Sequence, residues 1–169
     1  MSSFDTSRIL YSDESCIIIN KKSGEAMEGA GTNQLNLPEM LSTLFPVSTN
    51  ARGLPFSPTA VHRIDVPVTG CALFARTPES LAFYNTCFAE GKARKIYWAV
   101  CEIPPNMGTL AESDKLVHWI SVDARHNKSY VHTDEAADRK QAILRYRIVG
   151  KGDRYLFVEV ELITGRHHQ

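Results

Sequence analysis

Apolar and polar positions along the chain follow the period of strands more often than that of helices. CIIIN (16–20) is a continuous apolar run closed by Lys21-Lys22-Ser23-Gly24, as in a short buried strand that ends in a turn. CALFA (71–75) reads as another strand, as does KIYWAVCE (95–102), which is rich in aromatic and β-branched residues and broken by Pro104, Pro105 and Gly108. HWISVD and YVHT predict two more, joined by the polar loop ARHNKS. QAILRYRIV (141–149) alternates, with Ile143, Arg145 and Arg147 on one face and Ala142, Leu144, Tyr146 and Ile148 on the other. KGD (151–153) signals a hairpin turn. RYLFVEVELITG then sets Leu156, Val158, Val160 and Leu162 against Tyr155, Phe157, Glu159 and Glu161.

The helical period occurs twice. Asn36 has the features of an N-cap, with Pro38 in the first turn and Glu39 three residues on, and Leu37, Met40, Leu41, Leu44 and Phe45 carry the helix to about residue 45. Thr77 caps a second helix that opens on Pro78, shows a semi-apolar face of Leu81, Tyr84, Asn85 and Phe88, and ends at Gly91. Glycine-rich polar sequence precedes Asn36, and residues 46–60, with three prolines and a glycine, read as a loop. Many strands, few helices and hairpin-length links predict an α+β fold: a mostly antiparallel, mixed sheet flanked by a few helices. A length of 169 residues fits a single domain over 1–169.

Composition narrows this reading only slightly. The 19 lysines and arginines equal the 19 aspartates and glutamates, so any contact with nucleic acid must use a local basic face. Cys16, Cys71, Cys87 and Cys101 form no CxxC pair, which argues against structural zinc; Cys16, Cys71 and Cys101 sit in apolar runs and are expected to be core thiols. The sequence shows neither a signal peptide nor an apolar run of membrane length, so a cytoplasmic protein is expected.

Three polar clusters carry candidate chemistry. VHRIDVPVTG (61–70) places His62, Arg63 and Asp65 just before a strand. Asp65 could be a carboxylate nucleophile kept ionised by a cation, or simply the cap of the turn that runs to Gly70, and the second reading asks for less. His62 could be a base or a structural donor. In GKARKIYWAV (91–100), Lys92, Arg94 and Lys95 beside Tyr97 and Trp98 suit phosphate contact and base stacking. Tyr97 and Trp98 must point to opposite faces, and Trp98 is expected in the core. ITGRHHQ (163–169) could present Arg166 from a loop or be a frayed polar end.

Taken together, the three clusters resemble the RluA-type family of RNA pseudouridine synthases. Its HRLD motif, followed by a small hydroxyl residue and glycine, corresponds to His62-Arg63-Ile64-Asp65 with Thr69-Gly70. Its K-x-Y strand corresponds to Lys95-Ile96-Tyr97, and its T-G-R-x-H-Q motif to Thr164 through Gln169. Its opening tyrosine, acidic pair, strand and N-K-P-x-G correspond to Tyr11, Asp13, Glu14, CIIIN and Lys21 to Gly24, with Lys22 where proline is common. Val66-Pro67-Val68 replaces a more polar stretch.

The resemblance implies a pseudouridine synthase catalytic fold and an isomerase that needs no cofactor and no metal. It implies Asp65 as the essential aspartate, Tyr97 as the aromatic wall against uracil and Arg166 as the cation paired with the aspartate. His62, Arg63, Thr69 and Lys95 are implied as RNA contacts. The implied partner is rRNA or tRNA, with base flipping, no membrane and no obligatory protein partner. Relatives continue beyond H-Q, so the C-terminal part of the family domain is expected to be missing. The alternative expectation is an inactive relative that only binds RNA; a hydrolase using Asp65 with His62 or His167 is a more distant one.

Overall fold

A computed structural model describes residues 4–28, 36–45, 47–50, 52–103, 108 and 110–169. Pro104 and Pro105, the expected strand breakers, and most of the glycine-rich stretch before Asn36 lie outside these residues. The chain divides into two compact units, Met1–Lys92 and Ala93–Gln169.

The first unit is built on a four-stranded antiparallel sheet. Its strands are β1 (Ile9–Ser12), β2 (Cys16–Lys21), β5 (Thr59–Ala60) and β6 (Gly70–Ala75), in the order β1-β2-β6-β5. A separate two-stranded pair, β3 (Ser48–Thr49) with β4 (Pro55–Phe56), lies inside the predicted loop. The apolar run of β2 predicts burial, and Ile17 and Ile19 are fully buried opposite Phe74 and Ala72 of β6. β1 was not legible because ILYS has no alternation. It is tied on by its ladder to β2 and by Asp13, whose carboxylate accepts from the Ser15 hydroxyl and from the Ser15 and Cys16 amides. Those bonds, the Ser15 hydroxyl foremost, hold Asp13 well below the usual carboxylate range.

Both helices start as their caps predict. At α1 (Leu37–Ser42) Asn36 Oδ1 accepts from the Glu39 amide at 3.0 Å and Glu39 reaches back to the Asn36 amide, a complete capping box. α1 stops at Ser42, short of the expected residue 45. The Ser42 and Thr43 hydroxyls bond back to the carbonyls of Glu39 and Met40, and Pro46 disfavours a helical Phe45. At α2 (Pro78–Ala89) Thr77 and Ser80 form the box. Its half-buried stripe is Leu81, Tyr84, Cys87 and Phe88, so Cys87 takes the place expected for Asn85.

The second unit is a five-stranded antiparallel sheet in the order β7-β11-β10-β8-β9. Its strands are β7 (Lys95–Glu102), β8 (Ser113–Asp123), β9 (Lys128–His132), β10 (Lys140–Lys151) and β11 (Tyr155–Leu162). β8 begins five residues before HWISVD, because its polar start pairs with Ile143 to Arg147 of β10. The alternation of β10 and β11 sets which face is covered: Ala142, Leu156 and Val158 are buried. The opposite face carries charge ladders, Arg94 and Arg145 on Glu161, and Arg147 on Glu159. Trp98 belongs to that outer face and is 72% exposed, which corrects its expected place in the core. Alternation fixed that Tyr97 and Trp98 oppose each other, and the ladder to β11 decides which of them is outside. Cys71 and Cys101 are likewise exposed, and only Cys16 is a buried thiol as expected.

Candidate active site

Asp65 sits half-buried in the loop between β5 and β6, and Ile64 beside it anchors the loop in the core. The loop is closed by a turn in which the Val68 amide donates to the Asp65 carbonyl at 3.0 Å. It ends at Gly70, whose φ of +125° is rarely open to a side-chain-bearing residue, so the glycine of the motif has a backbone reason. Gly70 pairs directly with Lys21 at the end of β2.

His62 extends the β5–β6 ladder with its ring. The Val61 amide donates to the Leu73 carbonyl, and the Leu73 amide donates to His62 Nε2 at 3.2 Å. The imidazole stacks on Phe88 with centroids 5.1 Å apart. Nε2 is thus an acceptor, which fixes the Nδ1–H tautomer and gives His62 a scaffolding part. Arg63 and Thr69 are exposed on the same loop.

Lys21 matches the lysine of the family's opening motif but was not among the candidate site residues. It is fully buried, and Nζ donates to the carbonyls of Val68 (2.7 Å), Val66 (3.0 Å), Asp65 (3.1 Å) and Lys22 (3.2 Å). Burial pushes its pKa below the ordinary lysine value, while the Glu25 and Asp65 carboxylates pull it up. Behind it, Arg8 grips both oxygens of Glu25, donates to the Asn20 carbonyl and lies over the Phe4 ring. Glu25 also accepts from the Lys22 amide. Burial raises the Glu25 pKa, but the Arg8 and Lys22 bonds outweigh it and leave the carboxyl below its ordinary value.

The second unit holds the other candidates. Tyr97 is half-buried on β7 opposite Val160. Lys95 Nζ lies 3.6 Å from where a Cβ on Gly165 would stand. The segment after β11 is a folded turn, not a frayed end. Gln169 Oε1 accepts from the Thr164 hydroxyl and the Arg166 amide, each at 2.9 Å, and Gln169 Nε2 donates to the Ile143 carbonyl. Arg166 Nε donates to the Gln141 carbonyl at 2.7 Å. His167 is pinned by Ser129 and Asn127. A pocket of about 300 Å³ opens here, lined by Ile120, Val122, Asp138, Lys140, Gly165, Arg166 and His167. His62, Arg63, Asp65 and Thr69 are therefore gathered on one loop of the first unit, and Lys95, Tyr97 and Arg166 on the second. Among the described residues no three His, Cys, Asp or Glu side chains cluster as metal ligands, and no helix is long and apolar enough to cross a membrane.

A fold of this kind with an HRID loop defines a class, and the comparisons give it a family. The family model described as RNA pseudouridylate synthase matches residues 15–169, and the chain belongs to that family, in its RluA-type form. It is 30% identical over 161 residues to ribosomal large subunit pseudouridine synthase C of Vibrio parahaemolyticus, covering 95% of this chain and 46% of that protein. It is 26% identical over 162 residues to an uncharacterised RNA pseudouridine synthase of Zymomonas mobilis, covering 96% of this chain and 69% of that protein. The solved structure of human RNA pseudouridylate synthase domain containing 4 shares the fold, with a TM-score of 0.71 at 22% identity over 97% of this chain and 62% of the human one. The chain thus spans about half the length of the ribosomal relative.

Proposed function

We propose that this chain converts specific uridines in RNA to pseudouridine, with Asp65 as the nucleophile. What supports the reading is the HRID loop: a half-buried carboxylate on a backbone fixed by strand, turn and buried ammonium, in a chain of the pseudouridylate synthase family.

The reaction breaks the bond from C1′ to uracil N1 and forms one from C1′ to C5. The proton lost from C5 is balanced by one gained at N1, so atoms and charge are conserved without an added co-reactant. Asp65 meets C1′ as it becomes electron-poor, either by attacking it to form an ester that breaks again as C1′ joins C5, or by drawing off a C2′ proton that returns when the new bond has formed. In this reading Tyr97 supplies the aromatic wall for the freed uracil and Arg166 the cation, the parts that the resemblance implies for them. The uridine must leave its stack, at a cost of a few kcal/mol, roughly, that Arg63, Lys95 and other backbone contacts offset. His62 and Thr69 shape the loop that faces the RNA. The names of relatives at 30% identity favour ribosomal RNA over tRNA as the substrate.

The test is a site-resolved pseudouridine assay on unmodified rRNA and tRNA transcripts. New sites with this chain, lost in a folded Asp65→Asn variant, are expected. Sites that persist in the variant would sink the assignment of Asp65, and RNA binding without turnover would favour a chain that only binds RNA.

A further inference from the structure

The turn that carries Arg166 is held from two sides. Gln169 closes it from within: its Oε1 accepts from the Arg166 amide, and its own amide donates to the Arg166 carbonyl at 3.2 Å. Ser129 holds it from the edge strand β9, 38 positions earlier in the chain. Its hydroxyl donates to the His167 carbonyl at 2.6 Å. A hydroxyl has one proton to give, so its oxygen is left to accept from His167 Nδ1, 3.0 Å away. Nε2 of the same ring pairs at 3.1 Å with Oδ1 of Asn127, in the turn between β8 and β9. One half-buried hydroxyl thus grips both the main chain and the side chain of the residue next to Arg166. His167 is the position that T-G-R-x-H-Q leaves open, so the motif letters do not supply this grip.

The backbone has a use for it. His168, whose ring stacks on His167 with centroids 3.7 Å apart, has a φ of +52°, which a residue with a Cβ keeps only where its surroundings impose it. The peptide before His168 is fixed by Ser129, and the peptide after it by the Gln169 amide on Arg166. Releasing either peptide lets the turn relax, and Arg166 moves with it.

Resting on the part given to Arg166 above, we propose that Ser129 is a positioning residue: through His167, the hairpin of β8 and β9 clamps the Arg166 turn in the shape that serves the reaction. Ser129 touches no substrate in this role. Its effect passes through the peptide groups of residues 166–169, and Asn127 steadies the far side of the imidazole.

The test is Ser129→Ala, which removes the hydroxyl, beside Ser129→Thr, which restores one, and Ser121→Ala. Ser121 bonds His132 Nε2 at 2.9 Å, so the third variant removes a hydroxyl–imidazole bond from the same hairpin without touching the turn. On an unmodified rRNA transcript, Ser129→Ala is expected to lower kcat at least about fivefold with KM within about twofold. Ser129→Thr and Ser121→Ala should stay within about twofold of the wild type in both. Amide exchange at Arg166 and Gln169 should speed up in Ser129→Ala while the β10–β11 ladder keeps its protection. Unchanged kcat, no recovery in Ser129→Thr, an equal loss in Ser121→Ala, or exchange that rises equally along β10 and β11 would overturn the proposal. If the wild-type chain makes no pseudouridine on rRNA or tRNA transcripts, the functional reading fails, and the exchange pattern alone decides whether Ser129 holds the turn. Should Ser129→Ala not fold, proton spectra of the wild type decide instead. A Ser129 hydroxyl proton that exchanges slowly enough to be seen supports the proposal, and one lost to water like that of exposed Ser113 refutes it.

Discussion

Single residues show how much depends on partners far away in sequence. Glu25 lies in a polar stretch with nothing to mark it, yet it joins Arg8, seventeen positions earlier, to the turn that follows β2. Its folded pKa is lowered from 4.5, so the unfolded chain binds more protons in acid. The stabilisation is present above the ordinary glutamate value and is lost as pH falls through the folded one. Glu25→Gln is expected to cost about 2 kcal/mol at neutral pH. The gap between the urea midpoints of the two proteins should narrow as pH falls below the ordinary glutamate value. A gap that stays constant with pH would count against the ion pair as its source. Lys21 stood in a motif, but its burial was not legible for the same reason: its loop partners are 44 to 47 positions away. Asp65 stood out only because the neighbouring motif residues resemble a family.

Elements were legible where their signals are local. Asn36 with Glu39 and Thr77 with Ser80 lie within one turn, and both helices start where those residues say. β10 and β11 were found from alternation, but their ends were missed by one to three residues, because a strand stops where its partner stops; KIYWAVCE matches β7 at both ends. Ser113 to Val117 looks too polar for a strand and is one because β10 runs beside it. A loop after β11 was one of two readings of ITGRHHQ, and what orders it lay beyond local signals. Its order comes from the Gln169 side chain bridging Thr164, the Arg166 amide and the Ile143 carbonyl. Gln169→Ala is expected to leave the β10–β11 ladder intact and to lower pseudouridine formation about tenfold by loosening the backbone of Arg166. Matched activity in the two proteins, with unchanged chemical shifts at Gly165 and Arg166, would show that the bridge is dispensable.

At the scale of the whole molecule, charge gives a prediction that motifs do not. Cations and anions are equal in number, so the general field does little to attract RNA, and binding must rest on a few local contacts. The affinity for RNA should therefore fall with salt on a log–log slope shallower than about −4, as expected for only a few neutralised phosphates. A much steeper slope would mean a broad basic surface that a neutral chain has no obvious means to supply. The fold class was legible at this scale because short strands and hairpin links leave few architectures. The division into Met1–Lys92 and Ala93–Gln169 was not, since no linker-like composition marks residues 92 and 93. One detail of the second unit bears on how such a chain changes over evolutionary time. The ladder of β10 with β11 slips between Ile148 and Gly150, leaving Val149 as a surplus residue. Elsewhere in the sheet, losing one residue would turn every later side chain to the wrong face. At Val149 the loss would instead restore a regular ladder, so this is the point at which β10 tolerates a change of length.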